Sequence, residues 1–441
     1  MPVGDAAARG ASAGAWAATH PVFGPGPDGR LEAGGMPIEA ALAEAGASTP
    51  AYVYCLEAVL AAYDSFAGAL DRRAGVFAAL KANALPALIR PLVERGAGVE
   101  AVSAAELLVA AGLGIPGERI VMSGVGKTAV DIDTAVEVGV RFLSVESEGE
   151  LALLDARARL AGRTMNALLR LNPALSPDTH PKIATGLETA KFGIAEDDLV
   201  ALAERRTEWP ALRICGIHAH IGSQIRDLGV LRENALCLAR VYRRLHAAGT
   251  PVSVVDVGGG LGIPHGVGEA AIAPAQYVGA VQEALADALG DLDHEIAFEP
   301  GRSLFGAAGA LVLGVLHTKR IGDRNFCVAD GGMNDFLRPA MYGAAHRIQP
   351  VAPRPGPERR FDVVGGVCET GDAFGHGVSL PPVAPGDLLA IFDAGAYGYS
   401  MASNVNLRPR PAEVVVANGS AVLARPAETP EILAARELGA R

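Results

Sequence analysis

The sequence has no long run of lysine or arginine. Its 38 basic and 49 acidic residues leave a net charge of −11, whereas a surface that neutralises phosphates needs clustered cations. Nucleic-acid binding is therefore not expected, and small-molecule chemistry is. Cysteine is scarce too: Cys55, Cys215, Cys237, Cys327 and Cys368 lie far apart with no Cys-x-x-Cys pair. That argues against a disulfide framework or a zinc ribbon and suits a reducing cytoplasm. No apolar stretch reaches the roughly 20 residues that cross a bilayer, so no membrane partner is expected. The Ala-, Gly- and Pro-rich first thirty or so residues lack a basic start followed by an apolar core, and so do not read as a secretion signal.

What is present is length and apolar content. A chain of 441 residues, 50% of them apolar, is too apolar for disorder and too long for one small core. From about Gly75 to Gly301, short runs rich in β-branched residues alternate with longer helix-periodic stretches, and no internal sequence repeat is visible. The candidate strands are Val76–Leu80, Gly98–Val102, Arg119–Met122, Arg141–Val145, Asn166–Leu171, Leu212–His218, Val252–Val257 and Glu295–Phe298. This pattern predicts a (β/α)₈ barrel, with an open doubly wound sheet as the rival. After Gly306, apolar runs follow one another without long helices, which predicts an antiparallel β domain, a sandwich or barrel. The expected division is an N-terminal extension over 1–49, a barrel over 50–305 and a β domain over 306–441. The segment Pro50–Tyr54 is a candidate strand of the second domain, and Pro350–Pro357 a surface loop within it.

Barrel active sites form at the C-terminal ends of the strands. In order, those ends carry Lys81, Ser103, Gly124, Glu146, Asn172, His220, the Gly258-Gly259-Gly260 triplet, and Glu299 with Arg302. Lys81 is either a strand-end lysine reaching solvent or, once desolvated, a Schiff-base amine. The three glycines let bare N–H groups approach a phosphate, although a purely structural turn reads the same way. They come too late in the chain for a dinucleotide fingerprint. His218 and His220 alternate on a strand, but no third metal ligand at suitable spacing is evident, so no metal is expected. Glu299 can face a pyridine nitrogen and Arg302 can clamp an anion, or the two can form an internal ion pair. Further on, Arg338, Tyr342, Cys368, Glu369 and Tyr397 sit in Gly- and Pro-rich stretches typical of functional loops.

The motifs KAN (from Lys81), SGVGK (from Ser123), HPKIATG (from His180), KFGI (from Lys191), HIGSQ (from His220), GGGLGI (from Gly258), EPGR (from Glu299), GMNDFLRPAMY (from Gly332), GGVCETGD (from Gly365) and GAYG (from Gly395) stand in one order. Together they resemble the fold type III pyridoxal-phosphate decarboxylases and, within them, the diaminopimelate decarboxylases. The likeness runs from about Pro50 to Ala417. It implies an alanine-racemase-like barrel followed by a β domain, and a homodimer with shared active sites. It also implies decarboxylation of meso-2,6-diaminopimelate to L-lysine through an aldimine of pyridoxal 5'-phosphate on Lys81.

By the same resemblance, His220 lies against the cofactor ring and Glu299 is its pyridinium partner. Ser223, Gly258–Gly260 and Gly301 cradle its phosphate. Arg302, Arg338 and Tyr342 bind substrate, Arg302 and Tyr397 also touch cofactor, and Cys368 and Glu369 are lent by the neighbouring subunit as proton donor and ammonium partner. Ala84 stands where Ser is usual, GGVCET for GPVCES, and DGGMND for DAAMND; none removes a group the mechanism needs. A same-family enzyme for another amino acid or a carrier-bound substrate, and a non-catalytic homologue, are the alternative readings.

Overall fold

Three short strands come first among the described residues: β1 (Phe23–Pro25), β2 (Leu31–Ala33) and β3 (Met36–Pro37), paired antiparallel in that order. A helix, Ile38–Ala45, and strand β4 (Ala51–Cys55) follow. The computed structural model describes residues 20–175, 191–265 and 270–439, so the HPKIATG motif lies outside the described residues. The chain forms two compact units, one of Val59–Ile263 with Ala271–Gly306, the other of Met1–Ala58, Pro264–Ala270 and Ala307–Arg441.

The first unit is a closed barrel of eight parallel strands. These are β5 (Ala74–Ala79), β6 (Gly98–Ala101), β7 (Ile120–Met122), β8 (Phe142–Val145), β9 (Met165–Arg170), β10 (Leu212–His218), β11 (Val254–Asp256) and β12 (Glu295–Phe298), with β12 pairing back onto β5. Helices of 9 to 20 residues separate most of them, long enough to return the chain for parallel pairing. Seven strands each send one side chain into an inner layer: Phe77, Val121, Phe142, Leu168, Cys215, Val254 and Ala297. The eighth, β6, has Gly98 there, where a Cβ would lie 2.4 Å from the Phe77 ring, so the large ring occupies the space the missing side chain leaves.

The second unit is a mixed sheet built on β13 (Gly309–Ile321), β14 (Arg324–Ala329), β15 (Ile348–Pro350), β16 (Arg359–Val364), β17 (Ala373–Leu380), β18 (Leu388–Ile391), β19 (Ala412–Ala417) and β20 (Ser420–Arg425). Its main path is β17-β16-β14-β13-β4-β19-β20, with β18 on β13 and β15 on β18. Most pairings are antiparallel, as the turn-rich sequence predicts. Two are not: β14 runs parallel to β16 and β4 parallel to β19. The reason is connectivity. β4 enters from ahead of the barrel and β14 reaches β16 through an intervening helix and strand, so no hairpin dictates either direction. The β1–β3 meander and the Ile38–Ala45 helix cover this sheet with Phe23, Leu31, Ile38 and Leu42, packed on Val53, Val312, Phe392 and Val414.

Candidate active site

In the barrel unit the strand ends gather the chemistry. Lys81 lies two residues past β5, about a quarter exposed, and its Nζ donates to Glu100 Oε1 at 2.8 Å. Glu100 is fully buried on β6 and also accepts from the Ser123 hydroxyl, while its Oε2 has no hydrogen-bond partner among the described residues. A carboxylate inside an otherwise apolar strand needs a cation, and Lys81 supplies it. Close by, Glu106 accepts the Val102 N–H at 2.7 Å; burial pushes its carboxyl up to about 7.

Round the barrel from β5, past β12 and at the ends of β11 and β10, stand Glu299, Asp256 and His218, with potential ligand atoms within 4.8 Å of one another. Burial, reinforced by Asp256 and Glu100, holds the Glu299 carboxyl well above its usual range, and Asp256 is pushed up to about 7. The two carboxyls are hydrogen-bonded to each other, and burial raises both. Asp256 Oδ1 accepts the Gly258 N–H at 2.9 Å. The His218 Nδ1 meets the Ser144 hydroxyl at 2.6 Å, and its Nε2 faces Glu299 Oε2 at 3.6 Å. Burial and nearby Arg170 hold His218 well below its usual value, so the ring is neutral. Glu299 Oε2 has no hydrogen-bond partner among the described residues.

His220 sits where β10 has ended. Its Nδ1 accepts the Gly259 N–H at 3.1 Å, which leaves the ring proton on Nε2. Burial and the Lys81 cation hold it, too, well below the usual histidine range. The glycine turn beneath it is obligatory. A Cβ on Gly258 (φ 66°) would lie 2.8 Å from the Ala219 oxygen, one on Gly259 2.3 Å from the Glu299 oxygen, and one on Gly260 (φ 104°) 2.9 Å from the Gly222 oxygen. Buried Arg302 follows Gly301 and donates through Nε and Nη2 to the Ser223 hydroxyl at 3.2 and 3.0 Å. Lys81, His220, Ser223, the Gly258–Gly260 turn, Glu299, Gly301 and Arg302 thus all belong to this unit.

The remaining strand-end residues have other work. Ser103 caps the helix Ala104–Gly112 by accepting from the Glu106 N–H. Glu146 pairs with buried Arg170 and accepts the Gly193 N–H at 3.0 Å.

The β unit holds the other expected residues. Arg338 is buried with its guanidinium 5.6 Å from the Tyr342 ring centre, and burial lowers its pKa. Tyr397 is half-buried with φ 55°. Cys368 and Glu369 are exposed on the single chain, and the Cys368 N–H donates to Asn406 Oδ1 at 3.1 Å.

Sequence reasoning did not pick out Glu100, Ser144, Arg170 or Asp256. A signal was there: GVEAV and VVDVG each put a carboxylate in the middle of an apolar strand, a placement that demands a buried partner.

Residues 56–306 match the family described as pyridoxal-dependent decarboxylase, pyridoxal binding domain. The diaminopimelate decarboxylase of Aquifex aeolicus is 39% identical over 380 residues, 86% of this chain and 89% of that protein. The diaminopimelate decarboxylase of Pseudomonas aeruginosa is 39% identical over 369 residues, 83% of this chain and 88% of that protein. Among solved structures, the enzyme of M. jannaschii in complex with L-lysine superposes with a TM-score of 0.89 at 34% identity, covering 95% of this chain and 98% of that one. The Helicobacter pylori enzyme, also with L-lysine, gives 0.84 at 35% identity, covering 89% and 98%.

Proposed function

Because the chain belongs to the pyridoxal-dependent decarboxylases and, within them, to the diaminopimelate decarboxylases, we propose that it converts meso-2,6-diaminopimelate to L-lysine and CO₂, the last step of lysine biosynthesis, using these residues. The barrel residues fit the family's cofactor. Glu299 Oε2 is a buried oxygen without a hydrogen-bond partner among the described residues, and a protonated pyridine nitrogen is a donor that suits it. The turn in which no Cβ fits lets the backbone come close to a phosphate, while Asp256 and His220 hold the Gly258 and Gly259 N–H groups and so fix its shape. When bound, pyridoxal phosphate supplies an electron sink for the charge left as CO₂ departs.

The chain's own residues have separable tasks. Lys81 is the amine that would hold the cofactor, and Glu100 with Ser123 keeps its Nζ in place. Glu299, its carboxyl raised by burial, faces His218 through Oε2 and can exchange a proton with a basic nitrogen. His220, neutral and pinned through Nδ1, offers a flat uncharged face. Arg302 and Ser223 present donors to an anion beside the glycine turn. Arg338 and Tyr342 are the substrate-binding pair of the β unit, Tyr397 contacts both ligands, Cys368 reprotonates the α-carbon and Glu369 binds the distal ammonium. The last two act from the partner chain of a homodimer. A set with both arginines and a carboxylate suits a substrate with a carboxylate and an ammonium at its far end.

The observation that carries this reading is the unpartnered Glu299 oxygen in the same barrel mouth as Lys81. CO₂ release from meso-2,6-diaminopimelate, L-lysine, L-ornithine and L-arginine tests it. Turnover confined to the first is expected, and equal turnover of L-ornithine or L-arginine would remove the substrate assignment.

A further inference from the structure

The β unit contains a buried polar cluster for which the reading above has no use. Asp393 is 1% exposed. Its Oδ1 accepts from His20 Nε2 at 3.2 Å and its Oδ2 from Arg347 at 2.8 and 3.2 Å, with His265 Nδ1 3.7 Å away. His20 comes from the segment just ahead of β1. Its Nδ1 accepts the N–H groups of Val22 and Phe23 at 3.2 and 3.0 Å, so its ring proton sits on Nε2 and points at Asp393. One residue earlier, the Phe392 carbonyl accepts from His346 Nδ1 at 2.9 Å. That leaves His346 Nε2 to accept from Arg338 Nε at 3.5 Å. The neighbours His346 and Arg347 thus grip the neighbours Phe392 and Asp393.

The turn that starts there is held in an unusual conformation. Asp393 (φ 58°) and Tyr397 (φ 55°) both occupy the left-handed region, which residues other than glycine keep only where their surroundings over-determine it. We infer that the His20–Asp393–Arg347 clasp is a positioning device for the reaction. It fixes the turn that carries Tyr397 and, through Phe392 and His346, the guanidinium of Arg338. The inference rests on the reading of Tyr397 and Arg338 as ligand-binding residues, and it gives His20 a role in substrate binding.

Two substitutions in the full-length holoenzyme separate this from a merely structural contact. H20N keeps an acceptor for the Val22 and Phe23 N–H groups but is too short to reach Asp393. H20Q places an amide N–H where Nε2 stood. We expect H20N to raise KM for meso-2,6-diaminopimelate about ten-fold with kcat changed far less, and H20Q to stay within about two-fold of wild type. Amide hydrogen exchange supplies a readout independent of turnover: residues 393–400 should exchange about ten-fold faster in H20N than in H20Q. If H20N does not fold, R347K, which retains the charge but loses the fork of donors, should show the same KM rise and faster exchange. Equal exchange and wild-type KM in H20N or R347K would overturn the clasp. A wild-type protein that ignores meso-2,6-diaminopimelate while these exchange differences persist would fault the functional reading and leave the clasp standing.

Discussion

Lys81 and Glu299 follow the neighbouring strands β5 and β12, one a partly exposed cation on a buried carboxylate, the other a buried carboxyl whose Oε2 has no hydrogen-bond partner among the described residues. Lys81→Ala should abolish both the visible imine absorbance of the cofactor-loaded protein and its turnover, and borohydride reduction followed by peptide mapping should label Lys81. Labelling of another lysine would overturn the assignment. Glu299→Gln should bind cofactor but lower kcat by roughly 10²-fold or more, because a neutral amide does not keep the pyridine nitrogen protonated. Loss of cofactor binding with no separate effect on kcat would assign Glu299 a structural role.

Buried carboxyls hold the segment Gly331–Tyr342: Asp372 accepts the Met333 N–H at 2.6 Å, and Asp335 acts from within the segment. Asp335 is 1% exposed and accepts the Gly332 N–H at 2.8 Å and the Asn334 side-chain amide at 2.9 Å. Burial pushes it up to about 7 from 3.8. Between those two values the folded chain holds a proton that the unfolded chain has released, so stability should fall as pH rises from about 4 to 7 and then level off. Asp335→Asn should flatten this slope, by an amount on the order of a few kcal/mol. Melting curves from pH 5 to 8 would show it, and an unchanged slope would exclude Asp335 as the source. The glycine turn after β11 is the second such element. Gly259→Ala pushes a methyl into the Glu299 carbonyl, and it should cost about 1–3 kcal/mol and weaken cofactor binding.

At the scale of the whole molecule the question is whether one chain suffices. Cys368 and Glu369 lie exposed in the β unit, and the reading above has them serve a site whose Lys81 belongs to the partner. Mixing Lys81→Ala with Cys368→Ala should then restore activity, because one site in each heterodimer keeps both residues. Random reassortment makes about half the dimers mixed, so recovery near a quarter of wild-type activity is expected. No recovery despite proven subunit exchange would place both residues in one chain's site.

The barrel was legible in the chain because its signals are local. Each strand is a short apolar run ended by a polar or glycine residue, and all eight observed strands begin and end within about two residues of the pattern read from periodicity. The glycine triplet, Lys81, Glu299 and Arg302 were legible for the same reason, since strand ends are where a barrel exposes side chains. The pairing directions in the second sheet were not. β4 and β19 are more than 300 residues apart in sequence, and only packing decides that they run parallel. Nor could spacing show that Glu100 meets Lys81, that Asp256 meets Glu299, or that His20 reaches Asp393, 373 positions away. A buried charge announces that it needs a partner, but which residue answers is settled only when strands distant in the chain are brought side by side.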